Sequence, residues 1–433
     1  MSSRENQQAR TFLVNINGEK FYKKDLEVSQ KIRSDSISGW HISTSESRLN
    51  AARAAFQCVY LEKSTLFIQG NVPKFQVLEM VEQLNAVYPK TRGLSAFLTS
   101  GSTGRPKIIV HPIENFFESA SKILQRYPLV INKTWHHFFP INYMAGILNS
   151  LIVPWESGGS VLLDDAFNFS TPIKIMNQRS ALSSNIAWLS PSMIASLSIF
   201  AKKKNEHTLN WEFVFSATGP LETLIRDDFR KNMGVEVFNT YGSTEQMFIS
   251  GETIPDIEVS CGQAFSGVSL AIRSKSQIVS VKSNVVAIGV FSWNTVLGSY
   301  DFNAQSPDES IETADVGSIK AGRLYLAGRT DSMVVLGGLN VSLSAIENEA
   351  RGLPDVIEAF AWAPNGGSQR DLYLFLDVEE NLNCDVIDFR NQLNLRLGVE
   401  QAPKKIFAFS LPRTSSGKID RKMLIKFASD KQF

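Results

Sequence analysis

Thr99-Ser100-Gly101-Ser102-Thr103-Gly104-Arg105-Pro106-Lys107 is the stretch that decides the fold. It carries two glycines, four hydroxyls and two cations, directly after the apolar run Leu94 to Leu98. A strand that runs into such a loop brings backbone N–H groups, hydroxyls and positive charge to one point, which is what a polyphosphate needs. No Gly-Lys-Ser/Thr closes the loop, so it is not a Walker loop; Lys107 follows Arg-Pro instead. Taken singly, a loop of this composition serves equally well as a flexible turn. The order strand, hydroxyl-glycine loop, Pro-Lys is the more specific feature.

Upstream of the loop, Thr11 to Tyr22 reads as a hairpin turning at Asn17-Gly18. Helical periodicity follows over about Ser45 to Cys58, then a strand over Ser64 to Ile68 and an amphipathic helix over Lys74 to Tyr88, stopped by Pro89. Downstream the alternation becomes regular. A helix near Asn115 to Arg126 precedes apolar Trp135 to Phe139, a helix near Met144 to Val153 and a strand over Ser160 to Leu163. Ile186 to Leu189, Phe213 to Phe215 and Val235 to Phe238 are further short strands separated by helical segments. Strands alternating with helices predict a mostly parallel sheet covered on both faces. From about Ile257 to Leu326 the pattern turns strand-rich and Ser/Gly-punctuated, which predicts a smaller β subdomain.

With 433 residues the chain is too long for one simple core. A boundary is expected near Arg329 to Gly338, followed by a small α+β part: a helix around Ala345 to Arg351, strands near Ile357 to Trp362 and Leu372 to Val378, a helix around Val386 to Leu397, and a basic, loop-like Leu411 to Lys422. A net charge of +1 gives no reason to expect nucleic acid or a membrane surface as a partner. No apolar run approaches the about 20 residues needed to span a bilayer, and the polar N-terminus has no apolar core of a signal peptide. Cys58, Cys261 and Cys384 are too widely spaced for a disulfide framework or a metal knuckle, so the reducing cytoplasm is the expected compartment. His41, His111, His136, His137 and His207 form no metal-binding motif.

Three more stretches carry chemistry. Asn239-Thr240-Tyr241-Gly242-Ser243-Thr244-Glu245 follows a strand, at the end where open α/β sheets bind ligands. Its aromatic, glycine, hydroxyl and acid suit a base, a close approach, a phosphate and a magnesium ion; read structurally, the same residues are a capped helix start. Gly328-Arg329-Thr330-Asp331 precedes Val334-Val335-Leu336-Gly337-Gly338-Leu339-Asn340, which is equally a hairpin turn with a surface ion pair. Leu411-Pro412-Arg413-Thr414-Ser415-Ser416-Gly417-Lys418-Ile419-Asp420-Arg421-Lys422 is equally a solvated basic segment.

Together and in this order the four stretches resemble the adenylate-forming superfamily of acyl- and aryl-CoA synthetases, nonribosomal peptide adenylation domains and firefly luciferases. The family's phosphate loop, Thr/Ser-Ser-Gly-(Ser/Thr)-Thr-Gly-x-Pro-Lys, is matched throughout 99–107. Its Asn-x-Tyr-Gly-x-Thr-Glu is matched at 239–245, its Gly-Arg-x-Asp at 328–331 and its Pro-x-x-x-x-Gly-Lys-(Ile)-x-Arg at 412–421. The resemblance covers roughly Leu94 to the C-terminus. It implies a large N-terminal domain, 1–329, with mostly parallel sheets and a β subdomain, and a small mobile α+β C-terminal domain, 332–433, swinging about a hinge at Asp331.

The resemblance further implies residue roles. Thr99, Ser100, Gly101, Ser102, Thr103, Gly104 and Lys107 hold the β- and γ-phosphates of ATP. Tyr241 packs on adenine beside Gly219 and Gly242, Thr244 contacts the α-phosphate, and Glu245 binds Mg2+. Asp315 takes the place of the ribose aspartate, although Ala314 replaces the usual preceding glycine, and Arg329 also reaches the ribose. Lys418 touches the acid's carboxylate and the adenylate. Asn142, Tyr143 and Gly146, with Ala217, Thr218 and Met247, wall the acid. Gly337 and Gly338 let a pantetheine arm pass close to backbone.

The implied reaction is ATP-dependent acid–thiol ligation. A small carboxylic acid becomes acyl-AMP with release of pyrophosphate, and passes to the thiol of CoA or of a separate acyl carrier protein's phosphopantetheine. No aspartate is placed to hold an α-amino group, so an aromatic or otherwise unaminated acid is the expectation. The alternatives are an adenylation enzyme dedicated to a carrier protein without CoA, a non-catalytic nucleotide-binding relative (against which Lys418 and Glu245 argue) and a luciferase-type oxygenase. The chain departs from the family in its shorter region before the phosphate loop and in Val335, where many members carry lysine.

Overall fold

The run that leads into the opening stretch, Leu94–Thr99, is a strand paired antiparallel with Lys107–Pro112, from Leu94↔Pro112 to Thr99↔Lys107. That last rung fixes both ends of the loop against each other. The computed structural model describes residues 13–16, 19–22, 39–44, 48–68, 72–89, 91–99, 105–163, 167, 186–204, 211–255, 257–336, 339–364, 371–378, 386–398, 402–414 and 417–430. Ser100 to Gly104, Gly337, Gly338, the Asn17-Gly18 turn, Ser415 and Ser416 therefore lie outside the described residues.

The loop's two strands sit inside a six-stranded sheet ordered Ser299–Ala304, Gly289–Asn294, Lys107–Pro112, Leu94–Thr99, Thr65–Phe67, His41–Ser43. A second, thirteen-stranded sheet holds the other expected strands. Its parallel block runs Glu236–Ser243, Phe213–Ser216, Ile186–Leu189, Thr134–His137, Ser160–Leu163, Leu13–Ile16. Ile186–Leu189 and Phe213–Ser216 are buried along their whole length, as strands covered on both faces must be, and this is why they read as unbroken apolar runs. Trp188 stacks on Phe215 with centroids 4.5 Å apart, and Trp135 lies beside both. Burying each such ring stabilises the fold by about 1.5–3 kcal/mol.

Three expectations change form. The strand-rich stretch after Ile257 does not make a separate sheet. Met247–Gly251 pairs antiparallel with Glu236–Ser243, and Gln263–Ala264, Arg323–Arg329, Ile311–Lys320, Ile278–Ser283 and Val268–Ile272 continue the large sheet antiparallel. The hairpin Gly289–Asn294/Ser299–Ala304 instead crosses to the smaller sheet and pairs with Lys107–Pro112. The helix expected from Met144 contains a π-helical turn at Leu148–Ile152 between Met144–Ile147 and Val153–Glu156. Pro154 supplies the reason, because it has no N–H for the Ser150 carbonyl and its ring crowds that carbonyl, and a widened turn relieves both.

The third change is at the other end of the chain. Leu411 to Lys422 is not simply a loop: Arg413 and Ile419 form an antiparallel bridge, and a helix runs Arg421–Asp430. It packs over the sheet Val356–Trp362, Tyr373–Val378, Lys405–Phe409, with Leu424 and Ala428 buried beside Phe375. The helices Leu343–Arg351 and Val386–Leu397 supply Ile346 and Leu393 to an apolar cluster on the same sheet. Ile357 reaches the large core, and Arg351 Nε lies 3.7 Å from Glu222 Oε1 across the same junction. Between the two parts lie a 3-10 turn, Thr330–Ser332, and the hairpin Met333–Leu336/Leu339–Ser342.

Candidate active site

Asn239 to Glu245 is a hairpin rather than the start of a helix. The strand continues through Ser243, Thr244 to Gln246 make the turn, and Met247 pairs back onto Ser243. Backbone pairing satisfies the groups that a helix cap would otherwise have to satisfy. The register shifts between Tyr241 and Gly242, and a Cβ on Gly242 would lie 2.2 Å from Met247 O, so the motif needs glycine there.

Tyr241 is 9% exposed, and its hydroxyl donates to Asp315 Oδ2 at 2.5 Å. Asp315 sits directly across the ladder from Arg329, whose Nη1 donates to Asp315 Oδ1 at 3.2 Å. Burial and then the Asp315 charge hold the Tyr241 phenol far above its ordinary range, so it stays a donor. Thr313 Oγ1 accepts from Asp315 N at 3.0 Å, and Thr330 Oγ1 donates to Ala314 O at 3.2 Å. Tyr241, Asp315 and Arg329, far apart in sequence, are thus one contact group, open to solvent through Arg329, whose side chain is 51% exposed.

A buried ion pair holds the base of this strand. Arg226 Nη1 lies 3.3 Å from Glu252 Oε1, with side chains 2% and 0% exposed. Glu252 also accepts from Asn239 N at 3.0 Å, Ser260 N at 3.1 Å and Ser260 Oγ at 3.2 Å. Asn239 Nδ2 donates to Ser260 O at 2.9 Å. Asn239 is therefore an anchor for the strand that carries Tyr241. Neither Arg226 nor Glu252 stands out in the sequence.

On the smaller sheet, Thr99 and Lys107 are half-buried and opposite each other. Arg105 is clamped between Glu79, at 2.5 Å, and the face of Trp293, 3.6 Å from the ring centroid. Tyr300 OH donates to Pro106 O at 3.2 Å. Further along the strand His111, fully buried, has Nε2 2.7 Å from Thr244 O and Nδ1 2.9 Å from Asn115 Nδ2. Desolvation lowers its pKa to about 4. Sequence reading passed over His111 because no motif contains it.

Lys418 is presented by a tight turn. Thr414 N donates to Lys418 O at 2.7 Å and Gly417, at φ 78°, donates from N to Thr414 O at 2.9 Å. Arg413 braces the turn through Gly417 O at 2.7 Å and through an ion pair with the buried Asp377, which also accepts from Leu411 N at 2.8 Å. A Cβ on Gly417 would lie 3.8 Å from Met193 Cε, so this turn rests against the helix Pro191–Lys204 of the large part. The Lys418 side chain keeps solvent contact while protein surrounds it. Withdrawal from bulk water, and then the cations Arg421 and Arg329, lower its pKa.

Of the residues expected around the acid, Tyr143 and Ala217 are half-buried, Thr218 and Gly219 are exposed, and Met247 is fully buried. Thr218 and Met247 both have positive φ, 74° and 53°, which marks the two turns as shaped backbone. Asn142 is otherwise engaged: its Oδ1 accepts from Ser43 Oγ at 3.1 Å and its Nδ2 donates to Ile68 O at 3.3 Å. Its amide ties the segment after Thr134–His137 to the smaller sheet rather than facing a ligand. Gly146 is a packing contact, since a Cβ there would lie 2.0 Å from Pro140 O. Of Asp331, the backbone lies in the Thr330–Ser332 turn.

Glu245 is half-buried, and its carboxylate has no hydrogen-bond or ion-pair partner among the described residues. A lone oxygen ligand of this kind fits Mg2+, which is held by one or two carboxylates together with substrate phosphates. No group of three or more His, Cys, Asp or Glu among the described residues is arranged to hold a metal by itself. No helix of the described residues is long and apolar enough to cross a membrane.

The profile of the AMP-binding enzyme family matches residues 57–288. The sulfoacetate–CoA ligase of Cupriavidus necator is 25% identical over 76% of this chain and 66% of its own, just under two thirds of that relative. The D-alanine–D-alanyl carrier protein ligase of Staphylococcus haemolyticus is 25% identical over 75% of this chain and 69% of its own. Among solved structures, that of the anthranilate CoA ligase AuaEII in complex with anthranoyl-AMP aligns over 97% of this chain and 94% of its own, with a TM-score of 0.75 at 17% identity. At that identity the likeness speaks to the fold, which is that of the adenylate-forming ligases.

Proposed function

Because the chain belongs to the AMP-binding enzyme family, we propose that it is an AMP-forming acid–thiol ligase that uses ATP with Mg2+. The observation that carries this reading is the contact group of Tyr241, Asp315 and Arg329, with the turn that bears Lys418 resting against the helix Pro191–Lys204. The acid's carboxylate oxygen attacks the α-phosphorus of ATP, the bond to the bridging oxygen breaks, and pyrophosphate leaves. Asp315 and Arg329 take the ribose, Tyr241 the adenine, and Thr244 the α-phosphate. Lys107 and the hydroxyl-glycine loop hold the departing phosphates. Glu245 would hold Mg2+, which would supply positive charge against that developing on the phosphates. Lys418 draws the carboxylate in and offsets the repulsion between two anions; such a preorganised charge is worth about 10²–10³ in rate.

In the second step a thiolate attacks the acyl carbon, a thioester forms, and AMP leaves. The relatives are named as a CoA ligase and a carrier-protein ligase, so CoA or a carrier's phosphopantetheine is the acceptor class. The small part, 332–433, turns about Asp331 between the steps, withdrawing Lys418 and presenting Gly337 and Gly338 to the arm. An aromatic or otherwise unaminated acid is the substrate class of this reading, with Tyr143, Ala217, Thr218 and Met247 as its wall. The cytoplasm, where ATP and reduced thiols coexist, is the compartment this chemistry implies. The test is a panel of aryl, alkyl and amino acids with ATP, Mg2+ and hydroxylamine, each repeated with CoA and with carrier proteins. Pyrophosphate release with at least one aryl acid is the expected result; no release across the whole panel sinks the reading.

A further inference from the structure

The strand Lys107–Pro112 carries two polar groups on one face, Lys107 at its start and His111 four residues on. The contacts of His111 fix its proton. Thr244 O can only accept, so Nε2 carries the hydrogen of the 2.7 Å bond. Asn115 Nδ2 donates one hydrogen to Val286 O at 2.8 Å and the other to His111 Nδ1 at 2.9 Å. Only the neutral Nε2–H tautomer satisfies both partners. Two backbone bonds stitch the same three segments together: Ala287 N donates to Glu245 O at 2.8 Å, and Ile288 N donates to Val110 O at 2.8 Å.

We propose that His111 is a positioning residue for adenylate formation, tying the Thr244–Glu245 turn to the strand that carries Lys107. Without that tie, the groups for the α-phosphate and Mg2+ lose their fixed spacing from the lysine that holds the departing pyrophosphate. The proposal rests on the adenylation reading above. It touches neither substrate nor metal directly; His111 acts through the Thr244 carbonyl. Displacing reacting groups by about 1 Å costs about 10²-fold in rate.

The experiment compares the full chain with His111→Leu, which keeps volume and loses both hydrogen bonds, and His111→Gln, whose amide can still donate to Thr244 O. Three quantities are read: acid-dependent ATP–pyrophosphate exchange, ATP affinity with and without Mg2+ by calorimetry, and thermal unfolding. H111L is expected to lower the exchange kcat about 100-fold and to lose the gain in ATP affinity that Mg2+ brings, with affinity for metal-free ATP kept within about twofold. H111Q is expected to recover about tenfold of the lost rate and most of the Mg2+ gain. Retention of kcat within about threefold by H111L overturns the proposal. So does equal damage in H111L and H111Q, or a parallel loss of metal-free ATP binding, because a merely structural role predicts those. If H111L does not fold, Asn115→Leu, which removes the donor that orients the ring, must weaken the Mg2+ gain, and an unchanged gain overturns the proposal. Failure of wild-type exchange with every acid would count against the ligase reading alone, since the calorimetric arm judges His111 without it.

Discussion

Replacing Arg226 by methionine removes the cation from a pair that the large sheet has closed off from water. The pair's side chains are 2% and 0% exposed, and the charges lie 3.3 Å apart. After the change Glu252 keeps three donors, Asn239 N, Ser260 N and Ser260 Oγ, but no cation among the partners named here. Breaking a buried pair by removing one partner costs about 3–5 kcal/mol, because the remaining charge stays desolvated. The three surviving hydrogen bonds argue for the lower end, about 3 kcal/mol, a large share of the about 5–15 kcal/mol typical of a folded domain. Adding Glu252→Gln removes the stranded charge while an amide oxygen still accepts. The double variant should therefore be no less stable than Arg226→Met, with a coupling of about 2 kcal/mol between the sites. Urea unfolding of the full chain, followed through the fluorescence of the buried Trp135 and Trp188, measures all three differences. The reasoning fails if Arg226→Met costs less than about 1 kcal/mol, or if the two single effects simply add. Because Glu252 grips Asn239 at the base of the strand bearing Tyr241, the single variant should also raise the KM for ATP.

Lys418→Ala is expected to cut adenylate formation about 10²–10³-fold while largely sparing thioester formation from supplied acyl-AMP; equal loss of both steps in rapid-quench assays would contradict the two-step arrangement. His111 gives stability a pH dependence of defined sign. Its pKa is lowered from 6.5 to about 4 by burial, so the unfolded chain takes up the proton first as pH falls. Its contribution is therefore unchanged above about pH 6.5 and turns increasingly destabilising from there down to about pH 4, reaching about 3 kcal/mol, and His111→Gln should flatten that slope in urea titrations at a series of pH values. Gly146→Ala forces a Cβ to 2.0 Å from Pro140 O and should lower stability by about 1–3 kcal/mol in the same assay, with little change in the acid's KM relative to the stability loss.

The amino-acid sequence alone determined the parts of this protein whose physics is local. Lys107, the stretch Asn239 to Glu245, Arg329 and Lys418 belong to short stretches in which glycine, hydroxyl and charge stand at fixed offsets, and the four stretches taken together and in order carry the resemblance that none carries singly. The parallel strands were legible locally, since burial on both faces leaves an apolar run such as Ile186–Leu189. Tertiary structure alone decided what depends on residues far apart in the chain. It turned Asn239 to Ser243 into a strand, because Met247–Gly251 arrives to accept its hydrogen bonds, and it gave Asn142 to Ser43 and Ile68. It joined His111 to Thr244 across 133 residues and closed Arg226 on Glu252. A buried polar group must find a partner wherever the fold brings one within reach. That choice is made in three dimensions and leaves no spacing in the sequence. The loop at Thr99 to Lys107 is legible from its composition; the bond that ties the Thr244 turn to the strand leaving that loop is visible only once both strands are folded.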